Sequence, residues 1–304
     1  MPDIMAKKTF DVTSFQRRIY SWARCLRGKR DPNRQAAGRH RSFDSMSGIL
    51  AWMLSLAGTP PPESGKGRGR ALEIGTGQFM THAAGLYACG YERVLTIDRY
   101  RQVSPELVRA SMGNPVLSRR LLSPFVSHDD FLARMSRLEA TRYDLARLAE
   151  IGVDYRAPME AASILESSER FDLVFSYTVL EHVPLVQIPG LLSVSSSLLA
   201  PGGVAVHFID MEDHREPRAG PFAFLAPSAD WNEHACGERG NRVRASEWRG
   251  FFHSSTELIW SFPYAPVRRD APLPATIDSR FSALDEVDLR TSALIAIAVA
   301  PTGH

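Results

Sequence analysis

Apolar residues recur along this 304-residue chain in two rhythms, and the switch between them predicts its elements. Phe10, Phe15, Ile19, Tyr20, Trp22 and Leu26 fall at helical spacing among arginines and predict an amphipathic helix over residues 10–30. Phe43, Met46, Ile49, Leu50, Met53, Leu54 and Leu56 then form an i, i+3, i+4, i+7 stripe. With Ser42 or Asp44 as N-cap, this second helix should pack beside a sheet. Short apolar runs take over at Ala71–Ile74, Val94–Ile97, Val153–Ala157, Phe171–Ser176 and Val204–Ile209, each of strand length. Helical patterns separate them at Met80–Cys89, 177–183 and Leu191–Leu199. This alternation predicts an α/β fold, doubly wound around a parallel sheet. Leu258–Phe262 and Ala293–Ala300 supply two more strands for a closing hairpin.

Between residues 100 and 152 the rhythm stays helical, at Pro105–Met112, Ser118–Phe125, Asp130–Leu138 and Tyr143–Ile151. The stretch is too long for one crossover and predicts a helical insertion at about 101–150, capping the ligand-binding edge of the sheet. The chain divides accordingly into an N-terminal helical arm or lid at 1–60 and an α/β domain at 61–304. The Gly-, Pro- and Lys/Arg-rich stretch 58–70 reads as a connector.

Candidate chemistry begins where the first strand ends. Gly75 and Gly77 permit backbone angles and close ligand approach that a Cβ would obstruct. Glu73 precedes them, and Asp98 closes the next apolar run about twenty residues on, a spacing that suits one βαβ unit with an acid on a ribose. A dinucleotide loop of the Gly-x-Gly-x-x-Gly type would need glycine at Met80, which argues against hydride transfer.

Composition narrows the setting. The formal charge is +2, but the first 41 residues carry 11 Lys or Arg against three acids. That local bias suits a solvated arm, and also leaves room for an anionic partner or for a homodimer built through the arm. No apolar run approaches the roughly 20 residues of a membrane span, so no membrane partner is expected. With no signal-peptide pattern at the amino terminus, a cytoplasmic location is the expectation. Three separated cysteines without a Cys-x-x-Cys pair predict reduced thiols.

Taken together, LEIGTG (72–77), LTID (95–98), FDLVFSYTVLEHV (171–183) and LLAPGGVAVHFID (198–210) resemble, in order, the motifs of class I S-adenosylmethionine-dependent methyltransferases. The resemblance implies a Rossmann-like, mostly parallel seven-stranded sheet with an antiparallel last strand and S-adenosyl-L-methionine as cofactor. It implies Glu73 for the methionine ammonium, Gly75, Thr76 and Gly77 for close approach, and Asp98 with neighbouring Arg99 for the ribose. Met159 and Glu160 would meet the adenine, and Ser176 would stand at the fourth strand's end. Phe79 replaces the third glycine of many relatives. The segment 207–244, with IDMEDH, FL, WN and NRVR, is similar to a bacterial subgroup that methylates small molecules.

Methyl transfer is in-line displacement at an activated carbon, so alignment is the main requirement. Oxygen or nitrogen acceptors must lose a proton and sulfur need not, which makes His182, Asp213, His214 and His207 the catalytic candidates, in that order. Tyr177, Asp210, Trp231, Arg242 and Arg244 are candidates for the acceptor pocket. Packing remains the alternative for Tyr177 and Trp231, and surface ion pairs for the arginines. His182 could instead hydrogen-bond within its helix, and His207 alternates like a core strand residue. Asp210, Asp213 and His214 are metal-compatible, but sequence proximity alone does not converge three ligands, and no metal is assigned.

The expected function is therefore methylation of an O, N or S atom of a small-molecule acceptor. A nucleic-acid (RNA) methyltransferase is the first alternative. Ser176-Tyr177-Thr178-Val179 lacks the Asn/Asp-Pro-Pro-aromatic loop of many amine methylases, and no Pro-Cys nucleophile is present. A cofactor-binding partner without turnover is the second alternative.

Overall fold

The computed structural model describes residues 42–59, 67–112, 116–214, 219–228 and 240–302. The predicted helix at 10–30, with the rest of the arm up to residue 41, lies outside the described residues. Helix α1 (Phe43–Leu56) starts where Ser42 accepts a hydrogen bond from the Ser45 N–H. Its stripe is buried, as the spacing requires, and the edge of Trp52 meets Tyr264 at 4.6 Å between ring centroids.

Seven strands make one sheet: β1 (Arg70–Ile74), β2 (Arg93–Ile97), β3 (Val153–Arg156), β4 (Phe171–Tyr177), β5 (Leu199–Asp210), β6 (Trp260–Tyr264) and β7 (Ala293–Val299). Their order is β3-β2-β1-β4-β5-β7-β6. Neighbours from β3 to β5 pair in parallel, while β7 runs antiparallel to both β5 and β6. The doubly wound, mostly parallel sheet and its closing hairpin are thus as expected. Chain order reverses between β1 and β4, and in open α/β sheets ligands bind in the crevice beyond the strand ends at such a switch point.

Alternating side chains feed two cores. Ala71, Val94, Leu173, Phe175 and Val206 meet α1 and α2 (Thr81–Ala88) on one face. Leu72, Leu95, Val174 and Ala205 meet α7 (Ile188–Ser197) and α8 (Ala245–Ser255) on the other. Between β2 and β3 run α3 (Pro105–Met112), α4 (Val116–Leu122), α5 (His128–Ala140) and α6 (Leu145–Glu150).

These four helices do not form the expected cap. Val108, Met112, Leu122, Phe131, Met135 and Leu148 are buried in the same core as α1 and α2, so the insertion thickens one face of the sheet. Ser111 of α3 reaches the Phe79 carbonyl near the ligand-binding edge, whereas Arg134 of α5 reaches Tyr87 and Tyr91 at the opposite end. Cys89 is a buried free thiol, pushed up to about 12 by desolvation; Cys25 and Cys236 lie outside the described residues.

The helix expected over 177–183 is a correction of another kind. Strand β4 continues to Tyr177, Thr178 takes a left-handed φ of 53°, and only a 3-10 turn follows at Leu180–His182. A β-branched residue rarely adopts that angle, and one helix cannot run through it. Helix α8 was not expected, although Ala245, Trp248 and Phe252 make a buried i, i+3, i+7 stripe along it. Among the described residues no helix is long and apolar enough to cross a membrane.

Candidate functional site

The first half of the site is built by strand register. Parallel pairing sets Glu73 beside Thr96 on one side and Phe175 on the other, so the three share a face. The Glu73 carboxylate is 2% exposed and accepts the Thr96 hydroxyl at 2.6 Å. Because that hydroxyl has one hydrogen, the 2.6 Å contact of Thr96 with Thr76 makes Thr76 the donor there. On α2, His82 Nδ1 lies 3.4 Å from Glu73, and its ring packs on Phe175 and Tyr177. The buried His82 Nε2 has no hydrogen-bond partner among the described residues.

The glycine turn continues from this group. Gly75 and Gly77 have φ of 85° and 64°, and a Cβ on Gly75 would stand 2.2 Å from Val179 Cγ2. Only glycine lets the loops after β1 and β4 approach so closely. Asp98 receives the Gly77 N–H and the Tyr100 N–H, each at 2.9 Å, and the Asp98 carbonyl receives the Met159 N–H at 2.9 Å. Met159 is half-buried, while Arg99 and Glu160 form an exposed pair at 3.6 Å. Strand ends β1, β2 and β3 thus present two acids and a backbone cradle along one edge.

The decisive comparison is with family models. Residues 41–263 match the family described as "Methyltransferase domain". The chain belongs to that family. It is a class I S-adenosylmethionine-dependent methyltransferase with S-adenosylmethionine as its methyl donor, and its seven-stranded Rossmann-like sheet is the expected frame. No curated protein matches the sequence. Solved structures similar in fold include the YcgJ protein from Bacillus subtilis, at 14% identity over 84% of this chain and 98% of that one, with a TM-score of 0.43. Another is the N-methyltransferase NodS from Bradyrhizobium japonicum in complex with S-adenosyl-L-homocysteine, at 15% identity over 86% and 90% of the chains, with a TM-score of 0.41. At this similarity neither protein's acceptor transfers to this chain.

A second group of candidate residues lies beyond β4 and β5. Pairing of Tyr177 with Phe208 brings the two strand exits together. His182 and His214 stand 5.0 Å apart between ring centroids, and His214 Nε2 lies 3.6 Å from Asp210. The Asp210 N–H points to Glu181 Oε1 at 3.4 Å, and Glu181 is 3% exposed. Asp213 is buried behind them, with its N–H on the Pro221 carbonyl. A narrow cleft with room for about one water molecule, partly open to solvent, is lined by Glu181, Asp210, Glu212, Phe224 and Arg242 among others. Tyr177 turns toward His82 and Phe208.

Four expected site residues are held by contacts within the fold. His207 is fully buried, with Nδ1 on Ser176 Oγ at 2.8 Å and its ring against Phe252 and Trp260. Burial pushes it down to about 4, so it is neutral at pH 7. Period-two alternation turns both Ser176 and His207 toward α8, away from the face that holds Glu73. Arg244 is fully buried and donates to the carbonyls of Met211, Asp288, Leu289 and Thr291. Burial lowers it to about 10, which leaves it cationic. Arg242 donates to the carbonyls of Phe224 and Ala226 and packs on Phe281. These forked donors tie loops together through backbone carbonyls. Trp231 lies outside the described residues.

Sequence reasoning missed Thr96, His82, Glu181 and Asn241. Asn241 donates its N–H to the Glu181 carbonyl and its amide to those of Leu180 and Val183, which pins the turn carrying Glu181 and His182. Thr96 was open to inference, since two strands aligned at their acidic ends set it opposite Glu73.

Proposed function

We propose that this methyltransferase acts on an O, N or S nucleophile of a small molecule held beyond β4 and β5, with His182 facing the acceptor. The single observation carrying this reading is the gathering of Glu181, His182, Asp210 and His214 there, one loop contact away from Gly75. On the donor side, Glu73 takes the methionine ammonium and Gly75 with Gly77 lets that moiety approach. Asp98 takes the ribose hydroxyls, and Met159 and Glu160 flank the adenine. The fit rests on the buried Glu73 carboxylate, suited to a cationic group, and on Asp98 at the end of β2, beside the two-glycine turn. Bound S-adenosylmethionine supplies a methyl carbon already activated on a sulfonium. The chain's own contribution is alignment and, for O–H or N–H acceptors, a base of near-neutral pKa.

The test uses full-length protein, a methyl-labelled donor and a fractionated small-metabolite extract. Labelled product in the low-mass fraction is expected. His182→Ala should slow its formation by about 10²–10⁴-fold with donor affinity unchanged. Asp98→Ala should weaken donor binding measured by calorimetry, and unchanged affinity would remove the ribose assignment. Label appearing in RNA would overturn the acceptor class, and no label despite tight donor binding would favour a partner protein without turnover.

A further inference from the structure

Three side chains of metal-ligand chemistry meet where the exits of β4 and β5 converge. Glu181, His182 and His214 each offer one ligand atom, and these atoms lie within 4.8 Å of one another. The set differs from the sequence-adjacent Asp210, Asp213 and His214, since strand pairing, not chain proximity, assembles it. Ligands at about 2.1 Å from one ion stand roughly 3–4 Å apart, so side-chain rotation of about an ångström closes the set. Two imidazoles with one carboxylate are borderline donors, suited to zinc and its first-row neighbours more than to magnesium or calcium.

The surroundings supply what a metal site needs beyond its ligands. Asp210 lies 3.6 Å from His214 Nε2, a small rotation short of the carboxylate–histidine hydrogen bond that would fix the ring's tautomer and leave Nδ1 for an ion. Asn241 holds the backbone of Leu180, Glu181 and Val183, so two of the three ligands sit on a pinned turn. The neighbouring cleft, lined by Glu181 and Asp210, opens to solvent and gives an ion an entry path.

We propose that Glu181, His182 and His214 bind one divalent transition ion of the zinc class, three protein ligands leaving a coordination position open. Binding of the ion does not depend on the small-molecule reading. That the open position faces the acceptor does rest on it; with an ion bound, the one free lone pair of His182 would be taken, so the open coordination position, in place of His182, would meet the acceptor.

The experiment takes untagged full-length protein treated with chelator, and titrates it with Co²⁺ under visible absorption and then with Zn²⁺ in competition. One equivalent should bind, with ligand-field bands displaced by Zn²⁺ and no sulfur charge-transfer band. His182→Gln and His214→Gln should each weaken binding at least ~100-fold, and Asp210→Asn by about 10–100-fold. Circular dichroism and donor affinity of each variant verify that the fold and the donor half persist. No stoichiometric binding, or binding untouched by both histidine substitutions, overturns the site. A sulfur charge-transfer band lost in Cys236→Ser would overturn it as well, by giving the ion to another place. A bound ion with no methylated small molecule would leave the site standing and remove the acceptor reading alone.

Discussion

The proposed donor half and the proposed acceptor half of this methyltransferase are assembled by different means. At the donor half, Glu73, Thr76, Gly77, Thr96 and Asp98 lie on two adjacent parallel strands or the turns directly after them, and register alone brings them into contact. At the proposed acceptor half, the carbonyls of Leu180, Ala226 and Asp288 come from distant segments and are tied by the side-chain donors of Asn241, Arg242 and Arg244. A site made by register survives any sequence that keeps the strands. One made by ties depends on individual side chains.

Arg244→Ala breaks that comparison most sharply. It leaves several buried carbonyls without their donor and opens space beside Phe222 and Phe224. A loss of about 3–5 kcal/mol in unfolding free energy is expected by chemical denaturation. A change below about 1 kcal/mol would show that the clamp is not a structural tie.

Gly75→Ala tests the place where the halves touch. The left-handed angle costs an L-residue about 1–2 kcal/mol, and overlap with Val179 adds about 1–3 kcal/mol. Donor affinity should fall on the order of 100-fold, about 3 kcal/mol. Adding Val179→Ala should restore only the overlap part, so complete rescue would mean the backbone angle does not matter.

The smallest effect is pH-dependent. His207 titrates near 6.5 when unfolded and at about 4 when folded, so between these values the unfolded chain binds more protons. Stability from this residue is complete above pH 6.5 and is lost as pH falls toward 4, by about 2 kcal/mol at pH 5. His207→Phe should flatten that part of the stability profile, and an unchanged slope would assign the acid sensitivity elsewhere.

How far the sequence could be read follows the same division. Glycines, acids and apolar runs of the donor half are contiguous, so the strands and the cofactor were legible from residues 71–98 and the motifs after them. Sequence alone leaves Arg242 and Arg244 between an acceptor contact and a surface ion pair, because a guanidinium fork looks the same whether its acceptor is a carboxylate or a carbonyl. His207 alternates like a core residue, but only burial against Phe252 and Trp260 decides between core and base. The turn at 177–183 carries apolar residues at helical spacing, and the left-handed Thr178 that breaks the helix leaves no mark in composition. Glu181 and His214 become neighbours only once β4 and β5 are paired.

Trp260 stands 5.8 Å from His207, centroid to centroid, which turns that buried imidazole into something visible. Indole emission is quenched by a protonated imidazole nearby and not by a neutral one, so the folded protein carries its own optical proton gauge. Acid titration followed by tryptophan fluorescence, with Trp260→Phe as the dark reference, would report when a proton first enters the core between β5 and α8.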